Sequence, residues 1–206
     1  YFKGEWEQEF REENTIERDF TTGDGIIEPV EMMHLYSEDL QYVNTEDAVG
    51  VVLPYKDENM AMVALKPAGN RSVREMYDDM EWTDICNILE QKDVRNCNLQ
   101  LPKFEVTFER NLNSSLKAMG LERAFDENLA DLSGMGKSKS ETNIFIDLVF
   151  QKAIVIVDEE GTEAAAVTEV LIRNESCAIE EPPIDIFFDE PFLYMIVDLE
   201  KEIPLF

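Results

Sequence analysis

The single histidine, His34, has no serine or cysteine beside it in sequence that would make it the base of a nucleophilic dyad. A lone histidine of this kind is expected to be structural. The three cysteines, Cys86, Cys97 and Cys177, form no CxxC pair and have no histidine neighbours, so neither a zinc site nor a disulfide framework is expected. Adjacent carboxylates such as Glu12-Glu13 and Glu159-Glu160 could in principle share acid–base work. With 45 acidic residues in the chain, such pairs arise by chance and point to no reaction. GxGxxG, the P-loop, HExxH and GxSxG are all absent from the sequence. No catalytic constellation is visible, and neither enzyme activity, a cofactor nor a metal is expected.

Composition narrows the partners. Lys and Arg number 18 against 45 Asp and Glu, a net charge of −27. Nucleic acid and anionic membrane attract clustered basic residues, so neither is an expected partner. Apolar residues make up 44% and aromatics 10%, which suffices for a buried core. No apolar run reaches the 18 residues or more that a spanning helix needs. The opening residues YFKGEW lack the apolar segment of a signal peptide and read as the middle of a strand, which suggests a chain that starts inside a larger protein.

The elements that would carry any site are mostly strands. Tyr1–Phe10 reads as a strand end, and Arg11–Gly25 as loop with a short strand near Phe20. Short apolar runs at Tyr42-Val43, Ala48–Tyr55 and Met60–Leu65, bounded by Asn, Asp, Glu, Gly or Pro, read as a meander. The period changes at Val73, Met76, Tyr77 and Met80, and again at Ile85, Ile88 and Leu89, which predicts two short helices. Ser72 and Glu75 form a capping box ahead of the first. Asn96–Arg110 reads as extended, Ser114–Phe125 as a short helix ending near Gly120, and 134–141 as a loop. Ile144–Val157, Phe187–Val197 and Ile203–Phe206 read as further strands, giving an α+β chain rich in β structure.

One segment fits none of the usual roles. EEGTEAAAVTEVLIRNESC, residues 159–177, has no hydrophobic anchor at its start and no catalytic residue. Taken with a period of two, Thr162, Ala164, Ala166, Thr168, Val170 and Ile172 form one uncharged face. That face begins small and becomes β-branched, as suits a strand entering a tight slot over a core. Gly161 stands ahead of it as a hinge, since glycine reaches backbone angles closed to other residues. On pattern alone, an ordinary edge strand or an alanine-rich helical turn fits equally well.

VDEEGTEAAAVTEVLI resembles the reactive-loop hinge of the serpins, the serine protease inhibitor superfamily. The likeness continues through YFKGEW, VEMMHL, VVLPYKDENMAMVALKP, LPKFEVTFERNLNSSLKAMGLERAF, ADLSGM, DEPFLYMIVD and PLF, in family order and over essentially the whole chain. It covers only the C-terminal half of a serpin. The resemblance implies one partial domain over residues 1–206, mostly antiparallel multi-sheet β structure with few short helices, whose N-terminal half is missing from this chain.

The same resemblance implies a suicide-substrate inhibitor of a serine protease, or of a cysteine protease. The reactive loop would span about 159–180, with Glu159, Glu160, Gly161, Thr162, Glu163, Ala164, Ala165 and Ala166 as its hinge. The face from Thr162 to Ile172 would enter the central sheet after cleavage, Thr162 first; a charge or proline there would block it. Trp6 and Gln151 would mark the region where that sheet opens. Counting Gly161 as one, the scissile bond falls fifteenth to sixteenth, at Glu175-Ser176, which suggests a protease with a basic specificity pocket. A slip in loop length would move it toward Arg173, a trypsin-like preference, or to Ile172 or Cys177, an elastase-like one. Gln151 stands where the family usually has histidine, and Glu190 where it usually has a basic or neutral polar residue. An extracellular setting is expected, with the cytoplasm as its alternative. A non-inhibitory serpin, or an inactive truncated product, are the competing readings.

Overall fold

The computed structural model describes residues 3–56, 59–136, 143–162 and 182–206. Their contacts divide the chain into a first unit, residues 1–104 with 156–206, and a second unit, residues 105–155. The strands in chain order are β1 (Gly4–Glu5), β2 (Ile16–Thr21), β3 (Ile27–Asn44), β4 (Ala48–Pro54), β5 (Met60–Pro67), β6 (Asp93–Pro102), β7 (Phe104–Asn111), β8 (Phe150–Val157), β9 (Gly161–Thr162), β10 (Ile184–Phe187), β11 (Leu193–Asp198) and β12 (Ile203–Pro204). The helices are α1 (Val73–Asp79), α2 (Trp82–Gln91) and α3 (Asn113–Ala118), with single 3-10 turns at Glu12–Asn14 and Arg123–Phe125.

In the first unit, one sheet runs in the order β10-β6-β3-β4-β5-β11-β12, with β2 paired to β3. β10 lies parallel to β6, and the other registered pairs of this sheet are antiparallel. Its centre is β4 and β5, whose unbroken apolar runs Val51-Val52-Leu53 and Ala61–Leu65 are buried on both faces. Val43, Val52, Ala61, Val63, Leu65 and Val197 pack against Met76 of α1 and Ile88 and Leu89 of α2. Gly50 sits where an added Cβ would meet the Ala64 carbonyl oxygen at 2.0 Å, so only a hydrogen fits between β4 and β5 there. Phe104, Phe188, Phe192 and Tyr194 form an aromatic cluster with ring centroids 4.9–6.3 Å apart.

Both helices appear where the periodicity placed them, and the Ser72/Glu75 capping box is made in both directions. At the next helix Asp84 accepts the Glu81 N–H, holding its first turn. The short run expected at Tyr42-Val43 is the end of an 18-residue strand, β3, with a register irregularity between Ser37 and Leu40. Tyr1–Phe10 is regular strand only at Gly4–Glu5 among the described residues. Asn96–Arg110 is two strands in different sheets, divided at Pro102-Lys103. Phe187–Val197 is likewise divided, because Pro191 has no N–H for a ladder.

The second unit holds most of β7 and β8, which pair as a two-stranded sheet, and carries α3. The strand expected over Ile144–Val157 begins only at Phe150. Upstream, the backbone is claimed by loop partners: Ile146 N–H bonds the Ala124 carbonyl, and Val149 N–H bonds Asn113 Oδ1. The Asn113 amide also donates to the Asp147 carbonyl, so this side chain is engaged in holding the 147–149 segment. Residues 137–142 of the expected 134–141 loop lie outside the described residues.

Candidate functional site

Aspartate followed two and three residues later by flexible or small residues closes local turns, because its short carboxylate reaches the next backbone donors. Asp158 does this, accepting from the N–H groups of Glu160 and Gly161 at 3.1 and 3.2 Å, while its own N–H bonds the Gly161 carbonyl. The turn reverses the chain, and β9 runs antiparallel to β1 with Thr162 opposite Gly4 and Gly161 opposite Glu5. The approach is close. A Cβ on Gly161 would stand 2.0 Å from the Gly4 carbonyl oxygen and 2.8 Å from Glu5 Cα, at a backbone φ of +154°. No side chain larger than hydrogen fits there.

The turn is held from three sides. Trp6 is fully buried, stacked on Tyr55 at 4.8 Å and 10°, with Phe10 edge-on at 6.3 Å. Its indole N–H donates to the Asp158 carbonyl at 2.9 Å, and its backbone N–H to the Glu160 carbonyl at 3.0 Å. The Phe10 N–H reaches the Glu159 carbonyl. The Glu159 side chain is buried and doubly engaged: Thr15 Oγ1 donates to one oxygen at 2.6 Å and Lys103 Nζ pairs with the other at 2.9 Å. On the far side of the turn, the Thr162 hydroxyl lies 2.8 Å from the Tyr55 hydroxyl, both residues buried.

Burial works against ionising Glu159, but the bonds from Thr15 and Lys103 and its own backbone N–H outweigh it and hold the carboxyl below the usual range. The Glu159 carboxylate in turn holds the Lys103 ammonium above its usual value. The folded value of Glu159 is lowered, so its contribution is present above the unfolded value of 4.5 and lost as pH falls through the folded one. The folded value of Lys103 is raised, so its contribution is present below 10.5 and lost as pH rises through the folded one. The anchor is therefore complete between pH 4.5 and 10.5. The emission of Trp6, one of two tryptophans, is expected to shift below this window in the Lys103-containing protein and to lose that acid step in Glu159→Gln. An acid step of unchanged size in Glu159→Gln would show that another carboxylate carries it.

Tyr55 is pushed well above the usual phenol value by burial, against which the Thr162 bond counts, so its hydroxyl stays neutral.

Of the expected site residues, Trp6, Glu159, Glu160, Gly161 and Thr162 meet in this one cluster. At the start of the expected hinge, Glu159, Gly161 and Thr162 are buried. Charge compensation and the Gly4 approach are the reasons. Gln151 stands exposed on β8 in the second unit. Glu163, Ala164, Ala165, Ala166, Thr168, Val170, Ile172, Glu175 and Ser176 lie outside the described residues. Sequence reasoning missed Tyr55, Lys103, Thr15 and Asp158. The Tyr55–Thr162 pair is 107 residues apart and Thr15–Glu159 is 144, distances over which no local pattern carries a signal. His34, expected to be structural, bonds Asn98 across β3 and β6, away from this cluster.

A family profile described as Serpin (serine protease inhibitor) matches residues 1–206. The chain is 35% identical to Serpin B10 of Bos taurus over 206 residues, covering 95% of this chain and 49% of that protein. It is 33% identical to Serpin B11 of Mus musculus over 207 residues, covering 96% and 50%. The chain thus spans about half the length of the curated relatives it matches. Among solved structures, the thermophilic serpin tengpin in its native state superposes with a TM-score of 0.79 at 31% identity, covering 98% of this chain and 51% of that one. Human thyroxine-binding globulin superposes with a TM-score of 0.82 at 23% identity over 100% of this chain and 52% of that one, a likeness of fold.

Proposed function

Because the chain belongs to the serpin family, described as serine protease inhibitors, we propose that the full-length protein traps a serine protease as a suicide substrate, with cysteine proteases as the second target class. The observation that carries the reading is β9: Gly161 and Thr162 are already a strand paired to β1, with Thr162 buried. The expected insertion face therefore begins at a buried residue already paired to β1.

The protease's nucleophile attacks the carbonyl of Glu175. The Glu175-Ser176 peptide bond breaks, Ser176 leaves with a free amine, and Glu175 remains as the acyl group on the protease. The freed strand then adds to the sheet. About ten new ladder hydrogen bonds at about 1 kcal/mol each drive it. Burial of Val170 and Ile172 adds about 1.5–3 kcal/mol apiece. The buried Glu159–Lys103 anchor fixes the pivot about which the strand swings.

The test uses the full-length protein with trypsin-, elastase-, chymotrypsin- and glutamyl-specific proteases. The expected result is an SDS-stable complex and a released peptide beginning at Ser176. A peptide beginning at Asn174 would move the bond to Arg173. Clean cleavage with no complex against every protease would overturn the inhibitor and favour a carrier, chaperone or storage serpin. The extracellular setting, with the cytoplasm as its alternative, is decided by fractionating cells that express the full-length protein.

A further inference from the structure

An asparagine that carries a glycan needs the tripeptide Asn-X-Ser/Thr and, in the folded product, room for a bulky polar branch. Three such tripeptides occur in the chain: Asn70-Arg71-Ser72, Asn113-Ser114-Ser115 and Asn174-Glu175-Ser176. The third lies outside the described residues. The fold sets the first two in opposite ways. Asn113 opens α3, and both ends of its amide are committed: Nδ2 donates to the Asp147 carbonyl and Oδ1 accepts from the Val149 N–H, each at 2.8 Å. The neighbouring Leu112 N–H bonds the Val149 carbonyl, so the 147–149 segment lies directly against this half-buried residue. A sugar joined to Nδ2 replaces one of its two hydrogens and has to pass where that segment lies. A chain modified there loses the bracket that holds the segment.

Asn70 stands on the turn between β5 and α1, and both sides of that turn are held. The Ala68 N–H bonds the Asp47 carbonyl, Arg71 pairs with Asp47 and Asp79, and Ser72 caps α1 through Glu75. Between these fixed points Gly69 takes a left-handed φ of +72°, and a Cβ added there would meet nothing within 4 Å. Asn70 itself is exposed, and no hydrogen bond among the described residues uses its amide. A branch on this side chain displaces no contact and points from a surface turn, where bulk is tolerated.

We propose that Asn70 is an N-glycosylation site of the folded protein and that Asn113, despite the same tripeptide, is not. The proposal rests on the extracellular setting above, because the transfer acts on chains entering the secretory route. In that transfer the Asn70 amide nitrogen attacks the anomeric carbon of a lipid pyrophosphate-linked oligosaccharide. A C–N bond forms and the C–O bond to pyrophosphate breaks. The lipid pyrophosphate leaves with the electron pair of that bond, and the amide gives up one proton. Ser72 supplies the hydroxyl of the acceptor tripeptide while the chain is unfolded, and on folding the same hydroxyl accepts from the Glu75 N–H as the cap of α1. The fold then decides which glycans the finished protein can carry: one on Asn70 stays in solvent, and one on Asn113 breaks the 147–149 contacts.

The experiment makes the full-length protein in eukaryotic secretory cells twice, once with its own N-terminus and once behind a cleavable secretion leader. Folded protein is treated with a glycan-releasing amidase in water labelled with heavy oxygen, which leaves a labelled aspartate wherever an asparagine was occupied. Peptide masses then read each position. The expected result is label at residue 70 in most molecules and none at residue 113. Asn70→Gln is expected to gain mobility on a denaturing gel by one glycan and to keep its denaturant midpoint once both forms are stripped of sugar. Residue 70 unlabelled in the leader-directed protein overturns the assignment, and label at residue 113 of folded protein overturns the exclusion. Label at residue 70 behind the leader, with the natural form unlabelled and retained in the cytosol, supports the acceptor assignment and overturns the extracellular setting instead.

Discussion

Thr162→Arg in the full-length protein is expected to leave loop cleavage at its normal rate and to abolish the SDS-stable complex. Thr162 is 5% exposed, pairs with Gly4 and meets the Tyr55 hydroxyl at 2.8 Å. A guanidinium there would meet the buried Tyr55 hydroxyl and the Gly4 backbone, and the buried Glu159 carboxylate is committed to Lys103 and Thr15. Burying an unpaired ion costs several kcal/mol. Before cleavage the arginine is expected to turn out of the cluster and unpair residue 162 from β1, so that re-seating it as the strand enters bears a penalty of about 3 kcal/mol and is slowed about a hundredfold. Hydrolysis of the acyl-enzyme then wins, and the protein is consumed as a substrate. Thr162→Val, which keeps the shape and loses only the bond to Tyr55, should form complex with a modest rise in the amount of inhibitor needed per protease. Measured stoichiometry on both variants decides the matter: a normal complex yield from Thr162→Arg would show that the strand enters at some other residue.

Lys103→Ala is expected to destabilise the protein by about 2–3 kcal/mol, below the 3–5 kcal/mol of a fully buried pair because the lysine is a third exposed. The cost arises less from the lost attraction than from what remains. The Glu159 carboxylate, 8% exposed, keeps Thr15 as its one side-chain donor among the described residues. Adding Glu159→Gln to Lys103→Ala should recover part of the loss, because a neutral amide is cheaper to leave half-satisfied than an anion. Denaturant midpoints of the four proteins form the cycle. A double variant no more stable than Lys103→Ala alone would place the loss in packing of the lysine stem instead.

How much of this could be read in advance differs by element. Both helices α1 and α2, and the Ser72/Glu75 cap between loop and helix, were legible because helix periodicity and capping act within one turn. The meander of β4 and β5 was legible for a like reason, since unbroken apolar runs bounded by polar turns have few other places to go. The extent of β3 was not. Its 18 residues are joined by partners that come from β2, β4 and β6 in turn, and no window of sequence contains them. Strand starts at Phe150 and Leu193 were misplaced where Asn113 and Pro191 divert or withhold the backbone bond.

By itself, the sequence determined the family, the strand-rich α+β class, the absence of a visible catalytic motif, and the hinge glycine with its uncharged face beyond. These follow from residue type and order. Only the tertiary structure decided that the hinge begins as a buried strand paired to β1. Glu159 is an anchor because Lys103 and Thr15 close on it, and Thr162 is seated because Tyr55, stacked on Trp6, offers it a hydroxyl. Ion pairs, stacking and hydrogen bonds act over a few ångströms of space, and folding brings together residues that the chain keeps more than a hundred positions apart.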